Sequence, residues 1–138
     1  MREKLKKLLE NNIVKGSSLE KHKHKIPSVV ERSTDDQVEF FINLDEKISK
    51  SGLFVERKTR FDTVNSIDYF VKNGKKFFNQ KLNANGQMTF YFNGRIIDKL
   101  SLFPLKQTNG TSDGQIYPDM SKLDYVWDLA KQSYESKK

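Results

Sequence analysis

Asn-Gly occurs at Asn73-Gly74, Asn85-Gly86 and Asn93-Gly94, with short aromatic or β-branched runs between the pairs. Asparagine and glycine tolerate positive φ best, so the pair suits the two central positions of a type I′ hairpin turn. The runs are residues 67–71 (IDYFV), 76–80 (KFFNQ), 88–92 (MTFYF) and 95–100 (RIIDKL). Hairpin spacing of this kind predicts an antiparallel meander of four strands, and residues 53–58 (LFVERK) read as a fifth. Little else in the chain constrains the fold as strongly.

Helices are expected on both sides of the meander. Leu5, Leu8, Leu9 and Ile13 recur at helical spacing among charges, with Gly16 as a stop. Residues 16–32 are polar and basic, with Ser17-Ser18 and Pro27, and read as irregular or briefly helical. Thr34-Asp35-Asp36-Gln37 then has capping-box spacing ahead of Val38, Phe41, Ile42 and Ile48, and Ser51-Gly52 closes the element. Val38, Phe40, Ile42 and Leu44 also alternate, which is the competing strand reading; the cap and the glycine favour helix. Residues 104–118, with two prolines and the pairs Asn109-Gly110 and Asp113-Gly114, read as a loop. The last element is a helix: Leu123, Val126, Trp127, Ala130 and Tyr134 form an apolar stripe, started by Pro118 and Asp119 or Ser121.

The expected fold is therefore α+β: N-terminal helices, an antiparallel β-meander of four to six strands, and a C-terminal helix packed on the sheet. A chain of 138 residues makes one domain. It divides into a basic helical or irregular segment at 1–33, the meander at 53–103 and the closing helix at 119–136. Ten Phe, five Tyr and one Trp supply a core despite a mean hydropathy of -0.74. The absence of cysteine excludes disulfides, thiolate metal sites and cysteine catalysis. No window is apolar enough to span a membrane, and Met1–Leu9 lacks the apolar stretch of a signal peptide. The location implied is cytoplasmic, or export as part of a larger toxin chain.

A net charge of +7 implies an acidic partner or a solubilising surface. Residues 1–33 carry nine Lys and Arg against four acids, and 61–107 carry seven against three. Residues 34–60 and 108–138 each carry one excess acid, so the charge favours a basic face over an even coat.

Lys21-His22-Lys23-His24-Lys25 holds both histidines of the chain. Histidines titrate near neutrality, so His22 and His24 can serve as acid and base on a phosphodiester while Lys21 and Lys23 hold the phosphate. The alternative is a solvated basic run. Alternate residues of an extended segment face one way, so His22 and His24 also suit half a metal site, but no further ligand stands at a recognisable spacing. No metal or cofactor is therefore expected. Glu56-Arg57-Lys58, with Asp45 eleven residues earlier, resembles the acid and Glu-x-Lys arrangement of metal-dependent nucleases, though the acid falls within the expected helix.

In the meander, Lys72, Lys75, Lys76, Lys81 and Arg95 alternate with aromatics such as Phe78 and Tyr91. If the rings are exposed, bases stack on them while these cations and Lys25 follow the backbone of single-stranded RNA or DNA. If they face the core, the lysines are ordinary turn residues. Trp127 and Ala130 on a closing helix invite comparison with pleckstrin-homology-like domains, in which a basic loop could bind a phosphoinositide headgroup.

Lys21, Lys23 and His24 match a Lys-x-Lys-His arrangement, and Thr89 and Tyr91 form a hydroxyl-plus-aromatic pair in a late strand. Together these resemble the small toxin ribonucleases of the colicin D type, within the barnase/EndoU/RelE-like group, over about residues 18–103. The family has serine and tryptophan where this chain has Thr89 and Tyr91. The resemblance implies metal-free cleavage of tRNA, with attack by the 2′-hydroxyl. It makes His24 the base or acid, Lys21 and Lys23 the phosphate clamp, and an acidic immunity protein the partner. Three function classes stand at this point: a nucleic-acid binder, with RNA favoured, a toxin-type ribonuclease, and a protein- or phosphoinositide-binding module. The first two share a positive face that meets phosphate.

Overall fold

A computed structural model describes residues 1–101, 106–108 (backbone only) and 111–138. Its elements run α1 (Arg2–Asn11), a 3-10 segment (Ser18–Lys25), α2 (Ile26–Arg32), α3 (Asp35–Ser49), β1 (Glu56–Arg60), β2 (Ser66–Phe70), β3 (Lys76–Leu82), β4 (Met88–Asn93), β5 (Lys106–Thr108), β6 (Thr111–Ile116), a short 3-10 turn (Met120–Lys122) and α4 (Leu123–Lys137). The strands form one antiparallel sheet in the order β1-β2-β3-β4-β6-β5. The α+β expectation holds, with N-terminal helices and a C-terminal helix. Among the described residues no helix is long and apolar enough to cross a membrane.

Segment 34–51 is helix because its capping box closes. Gln37 N donates to Thr34 Oγ1 at 3.1 Å and Thr34 N donates to Gln37 Oε1 at 2.9 Å. The Gln37 amide also donates to the carbonyls of Asn83 and Gln87, tying the start of α3 to the β3–β4 turn. In α1, Leu5 and Leu9 are fully buried, one helical turn apart. The end of α1 meets the outer strand: Thr59 N donates to Asn12 O at 2.9 Å, and Thr59 Oγ1 donates to Leu9 O at 2.6 Å.

Two of the three Asn-Gly pairs turn hairpins, with a different turn from the one expected. Val71 N donates to Lys75 O and Asn83 N to Gln87 O, so each loop has three residues. Gly74 and Gly86 take positive φ (both +84°), whereas their asparagines do not. This is a type I turn closed by a glycine bulge, not type I′. Each asparagine keeps its ordinary conformation because its side-chain oxygen accepts from the backbone two residues on, Asn73 from Lys75 N and Asn85 from Gln87 N.

The third pair is no hairpin, and the expected strand at 95–100 is absent. Gly94 has φ +152°, and a Cβ there would collide with Ser136 Oγ while meeting Ser133 Cα at 3.4 Å. Glycine is needed because the chain passes directly against α4. Residues 95–101 then dock on that helix: Ile97 N donates to Gln132 Oε1, Leu100 N to Tyr125 Oη, and Tyr125 Oη to Asp98. The place beside β4 goes to β6, from the segment expected to be a loop. Asp113-Gly114 lies within that strand, and Gly114 pairs opposite Phe90. Pro104, Leu105 and the Asn109-Gly110 pair of the expected loop lie outside the described residues.

One face of the sheet builds the core. Phe78 stacks on Phe90, Phe40 of α3 packs on Phe90, and Phe77 meets Tyr134 of α4 edge-on. Phe77 reaches that face through a bulge opposite Tyr69 and Phe70, which adds one residue to β3. Phe78, which sequence alternation with lysines made look exposed, is fully buried. Under α3, Tyr69 Oη donates to Asp45 Oδ1 at 2.9 Å, Arg57 Nη1 donates to Asp45 Oδ2 at 2.7 Å, and Gln80 Nε2 donates to Tyr69 Oη. Asp45 is thus committed to the packing of α3, apart from exposed Glu56. Burial raises its pKa, against the pull of Arg57 and Tyr69.

Candidate functional site

The opposite face of the sheet carries charge. Strand pairing aligns Lys58, Asp68, Asn79, Tyr91 and Asp113 in one row, and Arg60, Ser66, Lys81, Thr89 and Gln115 in the next. Asp68 is only 1% exposed here, held by Arg60 Nε at 2.8 Å, Lys76 Nζ at 3.8 Å and an amide hydrogen bond from Asn79. Burial raises its pKa, and Lys76, Asn79 and Arg60 act against that rise. Asp68 thereby fixes Arg60 and Lys76 upright on the face.

Phe61 sits at the end of β1, where simple alternation would turn it toward the core. It instead takes the left-handed conformation (φ +63°), which is rare for a bulky side chain. Lys81 Nζ lies 5.3 Å from its ring centroid and Arg60 Cζ 6.0 Å. The residue is 42% exposed. The loop that holds it is well anchored: Val64 N donates to Phe61 O, Val64 is fully buried, and Asn65 Nδ2 donates to Leu82 O. At the other end of these strands, half-buried Phe70 lies under Lys58 Nζ, 4.9 Å from its centroid. The face over β1–β3 thus offers a ring at each end and four cations between them: Lys58, Arg60, Lys76 and Lys81. Toward β6 the charge reverses, since Tyr91 stands beside Asp113; burial, and then Asp113, raises the tyrosine's pKa.

The residues expected from sequence to contact nucleic acid fall into separate groups. Lys76, Lys81 and Tyr91 share the charged face. Lys72 and Lys75 lie in the β2–β3 turn at the other end of the strands, where Asn73 Nδ2 donates to Lys137 O. Arg95 follows Gly94 on the side of α4. Lys25 belongs to the 3-10 segment, and its Nζ reaches Asp62 O at 3.4 Å, beside the Phe61 loop.

The histidine run is likewise divided. A 3-10 helix advances about 120° per residue, so His22 and His24 do not share a face as they would on an extended segment. His24 lines a groove with Lys25, Ser28, Val29, Arg32 and Thr63. Lys23 lines a different groove, with Glu10 and Lys15. Lys21 is exposed. Desolvation, then Lys25, Lys21 and His24, lower the pKa of His22, with Asp62 opposing. Among the described residues no group of three or more His, Cys, Asp or Glu could hold a metal ion. Trp127 is almost buried and shares a groove with Asn43, Lys47 and Lys50 of the α3 end.

Sequence reasoning missed Arg60, Phe61 and Phe70, because no periodicity marks a ring held by a left-handed turn, and it singled out Lys58 only within the Glu-x-Lys arrangement. It also passed over Ser28 and Arg32, although Lys25, Ser28 and Arg32 have the i, i+3, i+7 spacing of one helical face. No protein-family model, curated protein or solved structure matches this chain.

Proposed function

We propose that the protein binds single-stranded nucleic acid, with RNA favoured, on the charged face of its sheet over β1–β3. The observation that carries this reading is Phe61. Holding an exposed ring in a left-handed conformation costs stability, and such strain concentrates at functional sites. Flanked by Arg60 and Lys81, the ring can stack a base while the cations meet the adjoining phosphates.

The test is fluorescence anisotropy with labelled single-stranded RNA and DNA of mixed sequence at several salt concentrations. Phe61→Ala removes one stacking platform, worth about 1–3 kcal/mol, so affinity should fall at least fivefold. Lys81→Gln should weaken all sequences alike and lower the salt slope by about one. Unchanged affinity in Phe61→Ala would remove the basis of this reading. The same RNA, incubated with EDTA and resolved on gels, tests the metal-independent ribonuclease alternative. Cleavage abolished in a His22→Ala/His24→Ala double variant would replace a binder with an enzyme.

A further inference from the structure

The groove between α2 and the β1–β2 loop is lined by basic and neutral residues. Its volume is about 370 Å³, and its lining comprises His24, Lys25, Ser28, Val29, Arg32 and Thr63. None of these is an acid. Near the site Lys58 and Lys81 have no ion pair among the described residues, but three other cations answer carboxylates: Arg57 pairs with Asp45, and Arg60 and Lys76 with Asp68. Arg32 and Lys25 do not. Arg32 Nη2 donates to the backbone carbonyl of Leu82 at 3.3 Å, and Lys25 Nζ to that of Asp62 at 3.4 Å. Among the described residues neither has an ion pair. Burial lowers the pKa of Arg32, as expected of a guanidinium partly withdrawn from water without a counter-charge.

Such a lining requires an anion with several acceptor oxygens. Each carbonyl occupies one donor, leaving most of the guanidinium fork and two ammonium protons of Lys25 available. Ser28 is exposed and offers its hydroxyl, and His24 adds a ring N–H. Thr63 is not a donor, because its Oγ1 already donates to Asn65 Oδ1 at 2.7 Å. Two permanent cations suit a dianion better than a monoanion. We infer that this groove is a binding site for a phosphate monoester, held by Arg32, Lys25, Ser28 and His24. The inference deepens the proposed function. Thr63 of the groove lies two residues from Phe61, so a strand whose base stacks on that ring can place its terminal phosphate here. A free phosphorylated small molecule would use the same chemistry.

The experiment is an NMR titration of the whole chain with inorganic phosphate, against sodium chloride at matched ionic strength. Phosphate should move the His24 ring signals and the amides of residues 24–32 and 62–64, saturably, where chloride does not. Arg32→Gln and Lys25→Gln should each raise the apparent Kd about tenfold or more, as expected for loss of one charge-assisted hydrogen bond. Their spectra without phosphate report whether they fold, and each variant checks the other. Oligonucleotides with and without a terminal phosphate separate the two sources. A preference for the phosphorylated strand, lost in Arg32→Gln, assigns the site to a strand end; phosphate binding without that preference assigns it to small phosphate esters. Shifts no larger than with chloride, or unchanged by both substitutions, would overturn the inference. Phe61→Ala should leave binding of inorganic phosphate intact, so loss of the stacking reading and loss of this one are distinguishable.

Discussion

Substituting Phe61 in two ways separates backbone strain from what the ring contributes. A non-glycine residue in the left-handed region bears about 1–2 kcal/mol of steric cost, which glycine escapes. Glycine in turn loses about 0.4–1 kcal/mol more through the freedom of its unfolded chain. Both Phe61→Ala and Phe61→Gly forfeit the contacts with Lys81 and Arg60, worth about 0.5–1 kcal/mol each at an exposed position, so those contacts cancel in the comparison. Phe61→Gly should therefore be more stable than Phe61→Ala by about 0.5–1 kcal/mol. Urea unfolding followed by fluorescence of the almost buried Trp127 is the assay. With a slope of about 2 kcal/mol per M, the two midpoints should differ by roughly 0.3–0.5 M. Both variants should lose nucleic-acid affinity. If the alanine variant proved as stable as the glycine variant, position 61 would not be held left-handed and the argument from strain would fail.

Three other outcomes follow from the packing. Arg57→Ala should cost about 3 kcal/mol at neutral pH by leaving the buried Asp45 carboxylate without its cation, more than Asp45→Asn, which keeps an acceptor for Tyr69; urea midpoints of the two would settle the order. Gly94→Ala should lower stability by about 1–3 kcal/mol through strain and contact with Ser133 and Ser136, read as a fall in Tm. Asp68 has a folded pKa raised above its ordinary 3.8, so the folded state binds its proton more tightly than the unfolded chain. The stability this group contributes is greatest below 3.8 and declines as the pH rises through the folded value. Asp68→Asn should flatten that part of the urea-unfolding pH profile, and an unaltered profile would contradict the assignment.

The helices and three inner strands were legible because local chemistry and tertiary packing agree there. Thr34 and Gln37 form a cap whatever surrounds them, and the Asn-Gly pairs at 73 and 85 turn the chain within a few residues. The errors fall where a distant element decides. Ile96 and Ile97 have strand composition, but α4 takes the backbone of that stretch through Gln132 and Tyr125. Thr111–Ile116 has almost none of that composition, yet it becomes a strand because β4 offers an edge for it to pair with. The site was half legible for the same reason. A count of lysines found the basic regions, but only the register of the sheet shows which cations meet. Only a local conformation shows that Phe61 is an exposed ring beside those cations while Phe78 is core.

The contact between α1 and Thr59 bears on what the outer edge of the sheet can offer to another chain. An outermost strand presents free amides and carbonyls that another chain's strand can join, the usual first step toward fibrils. Here Asn12 O occupies one of those amides, and the end of a helix stands where an incoming strand would lie. The strand itself adds Glu56, Arg57, Lys58 and Arg60, whose charges oppose such pairing. The N-terminal helix thus shields the sheet from its own kind, and proteolytic loss of the first dozen residues would convert β1 into an adhesive border.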